Sequence, residues 1–169
     1  MDIVRLRSGR EVAIRPIRAD DADRLELAYA RLSPESRYRR FLALKPRLTP
    51  VELRYLTEVD GRNHYALIAT PAADPDLLIG VGRFVRDQSD PVAAEFAIVV
   101  GDPYQGEGLG TELLTRLADA ALARGITRFT ATVLADNEAI HRLMHRLAGR
   151  FAEHRRSGSV EELVIDLAA

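Results

Sequence analysis

The residues best suited to chemistry lie in one stretch, Asp102-Pro103-Tyr104-Gln105-Gly106-Glu107-Gly108-Leu109-Gly110-Thr111, which holds three of the chain's 11 glycines within five positions. An apolar run at 96–100 precedes it. An amphipathic pattern follows, with Leu113, Leu114, Leu117, Ala118, Ala121 and Leu122 on one side. A strand, a glycine turn and a helix in that order make an anion site. The first helical turn has N–H groups with no helical acceptor, and the helix dipole adds positive potential there. Glycine lets the backbone approach a phosphate with no Cβ in the way. Two phosphate motifs fit poorly. A nucleotide P-loop needs Gly-Lys-Ser/Thr, and this stretch has no lysine; a dinucleotide loop needs G-x-G-x-x-G, and these glycines run G-x-G-x-G.

A second candidate is Glu95, a carboxylate inside the apolar strand Ala94-Glu95-Phe96-Ala97. Partial burial there would raise its pKa toward the range of a general base. Strand alternation sets Glu95, Ala97 and Val99 against Phe96, Ile98 and Val100, and does not decide which face is which. Glu107 is expected to point to solvent, because a second negative charge is unhelpful in a phosphate loop. Asn137, in Ala135-Asp136-Asn137, suits a helix N-cap. His141 and His145 have a metal-compatible spacing, but Arg142 lies between them and no metal site is expected. Arg37, Arg39 and Arg40 read as a solvated face or as partners for an anion. Asp87 and Asp90 are loop acids able to attract a cationic amine.

These groups need a frame. The 169 residues suffice for one domain, with 47% hydrophobic and 29% charged residues in a soluble globular balance. A net charge of −1 argues for neither nucleic acid nor an anionic membrane. With no cysteine, thiol nucleophiles, disulfides and thiolate metal sites are excluded. No run has the length of a signal peptide or a membrane span, so the cytoplasm is the expected setting. "SGR" at 8–10 reads as a turn and 11–17 as a strand. Asp20 is expected to cap a first helix. Ser33-Pro34 opens a second, and Thr49-Pro50-Val51-Glu52, with its capping box, a short third. Strands are expected at 64–70, 77–86 (weakened by Gly80 and Gly82) and 93–100. After the long helix come a strand at 127–134, a helix at 137–147 and a hairpin of 151–155 with 160–167. The order, β-ααα-βββ-α-β-α-ββ, is α+β, a sheet layered by helices.

Gln105-Gly106-Glu107-Gly108-Leu109-Gly110 resembles the Q/R-x-x-G-x-G/A signature of the GCN5-related N-acetyltransferases, and the order of elements over nearly the whole chain is similar to theirs. The resemblance implies the GNAT fold over residues 1–169: a mixed, mostly antiparallel sheet with a splayed parallel strand pair, flanked by helices. It implies acetyl-CoA as co-substrate. The pyrophosphate is expected on Gln105, Gly106, Gly108, Leu109, Gly110 and Thr111, and the pantetheine in the splay against Ile98, Val99 and Val100. Asn137 matches a position near pantetheine or its sulfur. Glu95 is implied as general base, and the Ile98 N–H as oxyanion donor. One position departs from the family: Met144 stands where many members have a tyrosine acid, leaving the general acid open.

The front half, "RSGREVAIRPIRADDADRL" and "LSPESRYRRFLALKPRLTPVELRYLTEVD", resembles the acetyltransferase domain of Pat-type protein lysine acetyltransferases, often fused to a regulatory module for which 169 residues leave no room. That implies acetylation of a protein lysine, such as one on an acyl-CoA synthetase, by direct transfer in a ternary complex. The alternatives are a small-molecule amine acceptor, or a non-catalytic module that binds acyl-CoA and senses it. Acetyl-CoA and a protein lysine or small amine are the expected partners; nucleic acid and membrane are not.

Overall fold

In the computed structural model, which describes residues 1–146 and 152–168, the N-terminal part runs β1 (Asp2–Arg5), β2 (Glu11–Pro16), α1 (Ala22–Arg31), α2 (Pro34–Phe41) and α3 (Pro50–Thr57). A meander follows: β3 (His64–Pro71), β4 (Gly80–Arg86) and β5 (Ala93–Val100). Then come α4 (Leu109–Leu122), β6 (Arg128–Leu134), α5 (Glu138–Arg146), β7 (Ala152–Ser157) and β8 (Val160–Asp166). The strands form one sheet in the order β1-β2-β3-β4-β5-β6-β8-β7. Every neighbouring pair is antiparallel except β5 with β6.

Local chemistry explains the helix starts. Ser33 caps α2, its hydroxyl accepting from the Ser36 N–H at 3.1 Å, with Pro34 at the first helical position. Thr49 and Glu52 form the reciprocal capping box of α3, at 3.2 and 2.8 Å. The start of α1 differs from expectation. Asp20 is exposed and lies in a short 3-10 turn, and Asp21 is the anchor. The buried Asp21 carboxylate accepts two bonds of 2.7 Å from Arg15 and one of 2.8 Å from the Arg18 N–H. Burial opposes its charge, but these bonds outweigh it and hold its pKa below the ordinary value.

The sheet buries both faces. On one, Phe84, Ala94, Phe96 and Phe129 pack with Leu113, Leu114 and Leu117 of α4. On the other, Ala66, Ile68 and Val81 pack with Leu25 and Tyr29 of α1 and Leu53 and Leu56 of α3. The "SGR" turn belongs to a hairpin whose first strand, β1, sequence reading missed. The strand expected from 77 begins at Gly80, although the Ile79 N–H still bonds the Ala69 carbonyl at 2.8 Å. The closing hairpin pairs Ala152–Ser157 with Val160–Asp166; Leu147 and Phe151, expected in α5 and β7, lie outside the described residues. No described helix is long and apolar enough to cross a membrane.

Candidate active site

The parallel pairing of β5 with β6 stops after three rungs, at Glu95 with Thr130. Beyond it β6 continues against β8, while β5 continues against β4 alone. The two strands therefore splay. Backbone direction along β5 follows from its neighbours. Ala93 O accepts from the Asp87 N–H and the Gly101 N–H bonds Ile79 O, so odd-numbered residues turn their peptide groups toward the β4 side. The register between these points is continuous. Ile98 and Val100 thus direct their N–H and C=O groups into the splay, while those of Val99 face β4. The Val100 carbonyl there accepts from Gln105 Nε2 at 3.0 Å.

A cavity opens at this splay. Its lining includes Ile98, Val99, Val100, Gln105, Gly106, Gly108, Leu109, Gly110, Thr111 and Asn137, so all ten residues expected to hold the cofactor meet at one place. The loop suits a diphosphate by its own chemistry. Gly106 and Gly108 sit at φ 77° and 97°, a region that side chains strain to reach. The Glu112 N–H bonds Gly108 O at 3.1 Å, so the amides of Leu109, Gly110 and Thr111 precede the helical ladder. Arg39, Arg142 and Arg146 also line the cavity, adding cations suited to a phosphorylated ligand. Asn137 Oδ1 accepts from the Ile140 N–H at 3.2 Å, so the asparagine caps α5 and borders the cavity at once.

Glu95 lies elsewhere, in a second cavity of about 390 Å³ lined also by Arg40, Tyr55, Arg83, Asp87 and Ala97. Arg40 borders both cavities, which meet along β5 between Ala97 and Ile98. Phe96 packs under α4 and Val99 toward α1 and α3. This resolves the alternation: Glu95, Ala97 and Val99 face the α1–α3 side. Glu95 is exposed, not partly buried as its apolar neighbours implied. Of the two loop acids, Asp87 joins Glu95 in the cavity, while Asp90 is tied to Arg128.

Other expectations change. Glu107 does not point to solvent. Its carboxylate accepts from the Ser8 hydroxyl at 2.7 Å and faces Arg10 at 3.5 Å, and its carbonyl accepts from the Arg7 N–H at 3.1 Å. The β1–β2 turn therefore clamps the glycine loop from outside. Arg37 is not a solvated charge: it donates to the carbonyls of Tyr29, Ala30 and Pro46 at 3.1, 2.7 and 3.1 Å. Met144 is buried in the core. His141 contacts Glu161 at 2.6 Å, and His145 is exposed.

Two functional residues escaped sequence reading. Asp102 accepts from the Ser33 N–H at 2.8 Å and the Ser36 hydroxyl at 2.6 Å, tying α2 to the start of the loop. Burial works against its charge, yet these donors hold its pKa below the ordinary value. Its partners are remote in sequence and nothing local marks it. Arg83 carried a signal, a lone charge in the apolar strand Gly80-Val81-Gly82-Arg83-Phe84-Val85.

A strand splay beside an amide-rich helix start, with a carboxylate in the adjoining cavity, makes this an α+β protein with a site suited to a phosphorylated ligand. Residues 26–149 match the model of the acetyltransferase (GNAT) family. The chain belongs to that family, whose activity is N-acetyl transfer. It is 38% identical over 144 residues to the acetyltransferase Pat of Mycolicibacterium smegmatis, covering 85% of this chain and 43% of that protein. It is 32% identical over 139 residues to the acetyltransferase PA5475 of Pseudomonas aeruginosa, covering 82% and 74%. The crystal structure of the GNAT domain of S. lividans PAT superposes with a TM-score of 0.87 at 32% identity, over 98% of this chain and 96% of that one. The chain thus spans less than half the length of the mycolicibacterial Pat.

Proposed function

We propose that residues 1–169 form one acetyltransferase domain that moves the acetyl group of acetyl-CoA to an amine by direct transfer in a ternary complex. The amine is the side chain of a lysine on a protein such as an acyl-CoA synthetase, and Glu95 is its general base. A cytoplasmic setting goes with this reading. One observation carries it: the ten residues suited to the cofactor border one cavity, Glu95 borders the next, and the two adjoin on β5.

Acetyl-CoA supplies the activated acyl group. An ammonium has no lone pair, so Glu95 accepts a proton, directly or through water, and the freed amine attacks the thioester carbon. Negative charge gathers on the carbonyl oxygen. The Ile98 N–H, which points into the splay beyond the last β5–β6 rung, donates to that oxygen. The C–S bond breaks as the N–C bond is completed, and the second proton of the attacking nitrogen passes to water or to the departing sulfur. With Met144 in the core, no side chain at that position protonates the thiolate, which leaves as such or takes a proton from water.

The test is CoA release with a lysine peptide or synthetase acceptor, wild type against Glu95→Gln. Loss of the base should lower kcat about 10²–10⁴-fold with little change in the KM for acetyl-CoA. Equal rates would remove Glu95 from the reaction. If neither protein releases CoA while both bind it, the chain is a cofactor-sensing module.

A further inference from the structure

The cavity around Glu95 contains more positive charge than an amine acceptor requires. Arg83 is 5% exposed and has no carboxylate in ion-pair range among the described residues. Its Nη1 is held from behind, donating to the Leu56 carbonyl at 3.0 Å and meeting His64 Nε2 at 2.9 Å. No described residue accepts from its Nη2 or Nε, and neither atom is a sealed, unsatisfied donor. Arg83 lines the cavity together with Glu95. Arg40 lines it too, its guanidinium over the Phe41 ring at 4.6 Å; no described carboxylate is within ion-pair range of it, but Glu95 attracts it from further off. Glu95 thus offsets Arg40 in part, whereas no carboxylate acts on Arg83, and a poorly solvated cation is costly unless an anion joins it.

The other charges of this cavity are already used. Arg86 donates to Asn63 Oδ1 at 2.9 Å and to the Arg124 carbonyl at 2.7 Å. Asp87 accepts from the Ser89 N–H and hydroxyl at 2.8 and 2.7 Å. Glu95, Arg83 and Arg40 remain. The register sets Glu95 opposite Val85 and Ala97 opposite Arg83, so Glu95 and Arg83 are diagonal neighbours on one sheet face. The site thus pairs an acid for an ammonium with cations for an anion.

Building on the acetyl-transfer reading, we propose that the acceptor carries a carboxylate close to its reacting amine, and that Arg83 and Arg40 bind it. In a protein substrate this is an acidic side chain beside the accepting lysine; in a free amino acid it is the α-carboxylate. The two arginines determine specificity, while Glu95 remains the base.

The test compares acceptors within one preparation, so that the active fraction cancels. Blocked peptides with Glu or Gln on either side of the accepting lysine form one arm, and free lysine against lysinamide the other. Wild type should prefer the carboxylate at least about tenfold in kcat/KM, the scale of a charge-assisted hydrogen bond. A preference in the peptide arm identifies a protein substrate; one confined to free lysine identifies a small amino acid. Arg83→Gln and Arg40→Gln should each bring the ratio close to one, and the half-buried Arg40 keeps the test alive if Arg83→Gln does not fold. Calorimetric titration with the Nε-acetylated products repeats the comparison without turnover. Equal handling of both members of every pair overturns the proposal, as does a preference that survives both substitutions. Absence of product binding overturns it as well. Failure of acetyl transfer itself would appear separately, as no CoA release with any acceptor.

Discussion

Gly108 and Gly110 stand two residues apart in the same loop and are glycine for different reasons. Gly108 has φ 97°, where any side chain is strained whatever the space around it. A substitution there cannot separate a damaged loop from a lost ligand. Gly110 lies in α4, and a Cβ added to it would meet only Leu143 and Val100 at 3.9–4.0 Å, ordinary contact. Gly110→Ala should therefore fold at least as well as wild type, alanine gaining about 1 kcal/mol of helix propensity. Its methyl would intrude on a bound diphosphate and should weaken CoA roughly tenfold or more, as overpacking of about 1–3 kcal/mol implies. Unchanged CoA affinity with an intact melt would take the phosphate away from this turn. The glycines, Glu95 and Asn137 could be singled out as candidates because each is unusual for its immediate neighbourhood. Asp102 and Arg83 were less so: their partners, Ser33 and Ser36 for one and Leu56 and His64 for the other, come close only in the folded chain.

Element by element, sequence reading succeeded where a signal was local and failed where packing chose among candidates. The Ser33-Pro34 and Thr49–Glu52 caps start helices where their chemistry requires. Either Asp20 or Asp21 suits the start of α1, and Arg15, on a separate strand, selects Asp21. β1 was missed because it is a four-residue, mostly exposed edge strand with little hydrophobic alternation. Gly80 and Gly82 seemed to weaken β4, but packing gives them a purpose. A Cβ at Gly82 would lie 2.8 Å from Leu117 Cδ1, and Leu117 is fully buried, so glycine lets α4 close against the sheet. Gly82→Ala should cost about 1–3 kcal/mol by overpacking, lowering Tm by roughly 3–10 °C. A melt unchanged from wild type would show that α4 can shift there freely.

At the scale of the whole molecule, periodicity alone could indicate an α+β layering but not the splayed parallel strand pair, which came from resemblance to a family. The sheet's two covered faces also create a place for His64, where β3 and β4 meet α3. Burial, then repulsion from Arg83 and Arg40, pushes its pKa down to about 4 from 6.5, against the pull of Asp60. The Tyr55 ring closes over it at 5.0 Å. The unfolded chain therefore binds a proton between these two values that the folded chain refuses, so stability falls as pH drops from about 6.5 toward 4. The full shift amounts to about 3 kcal/mol, and the part reached at pH 5 to about 2 kcal/mol. Asp21, Asp60 and Asp102 have pKa values held below 3.8, so their contribution is lost at still lower pH. Arg83, lowered to about 9, stays charged throughout this range and adds no slope. Between pH 7 and 5 the melting temperature should drop by roughly 4–8 °C. His64→Gln retains an acceptor for Arg83 without the titration, and should flatten most of that slope. A variant whose Tm still tracks wild type across this interval would mean that the pH sensitivity of the fold arises elsewhere, and that His64 takes up its proton without disturbing Arg83.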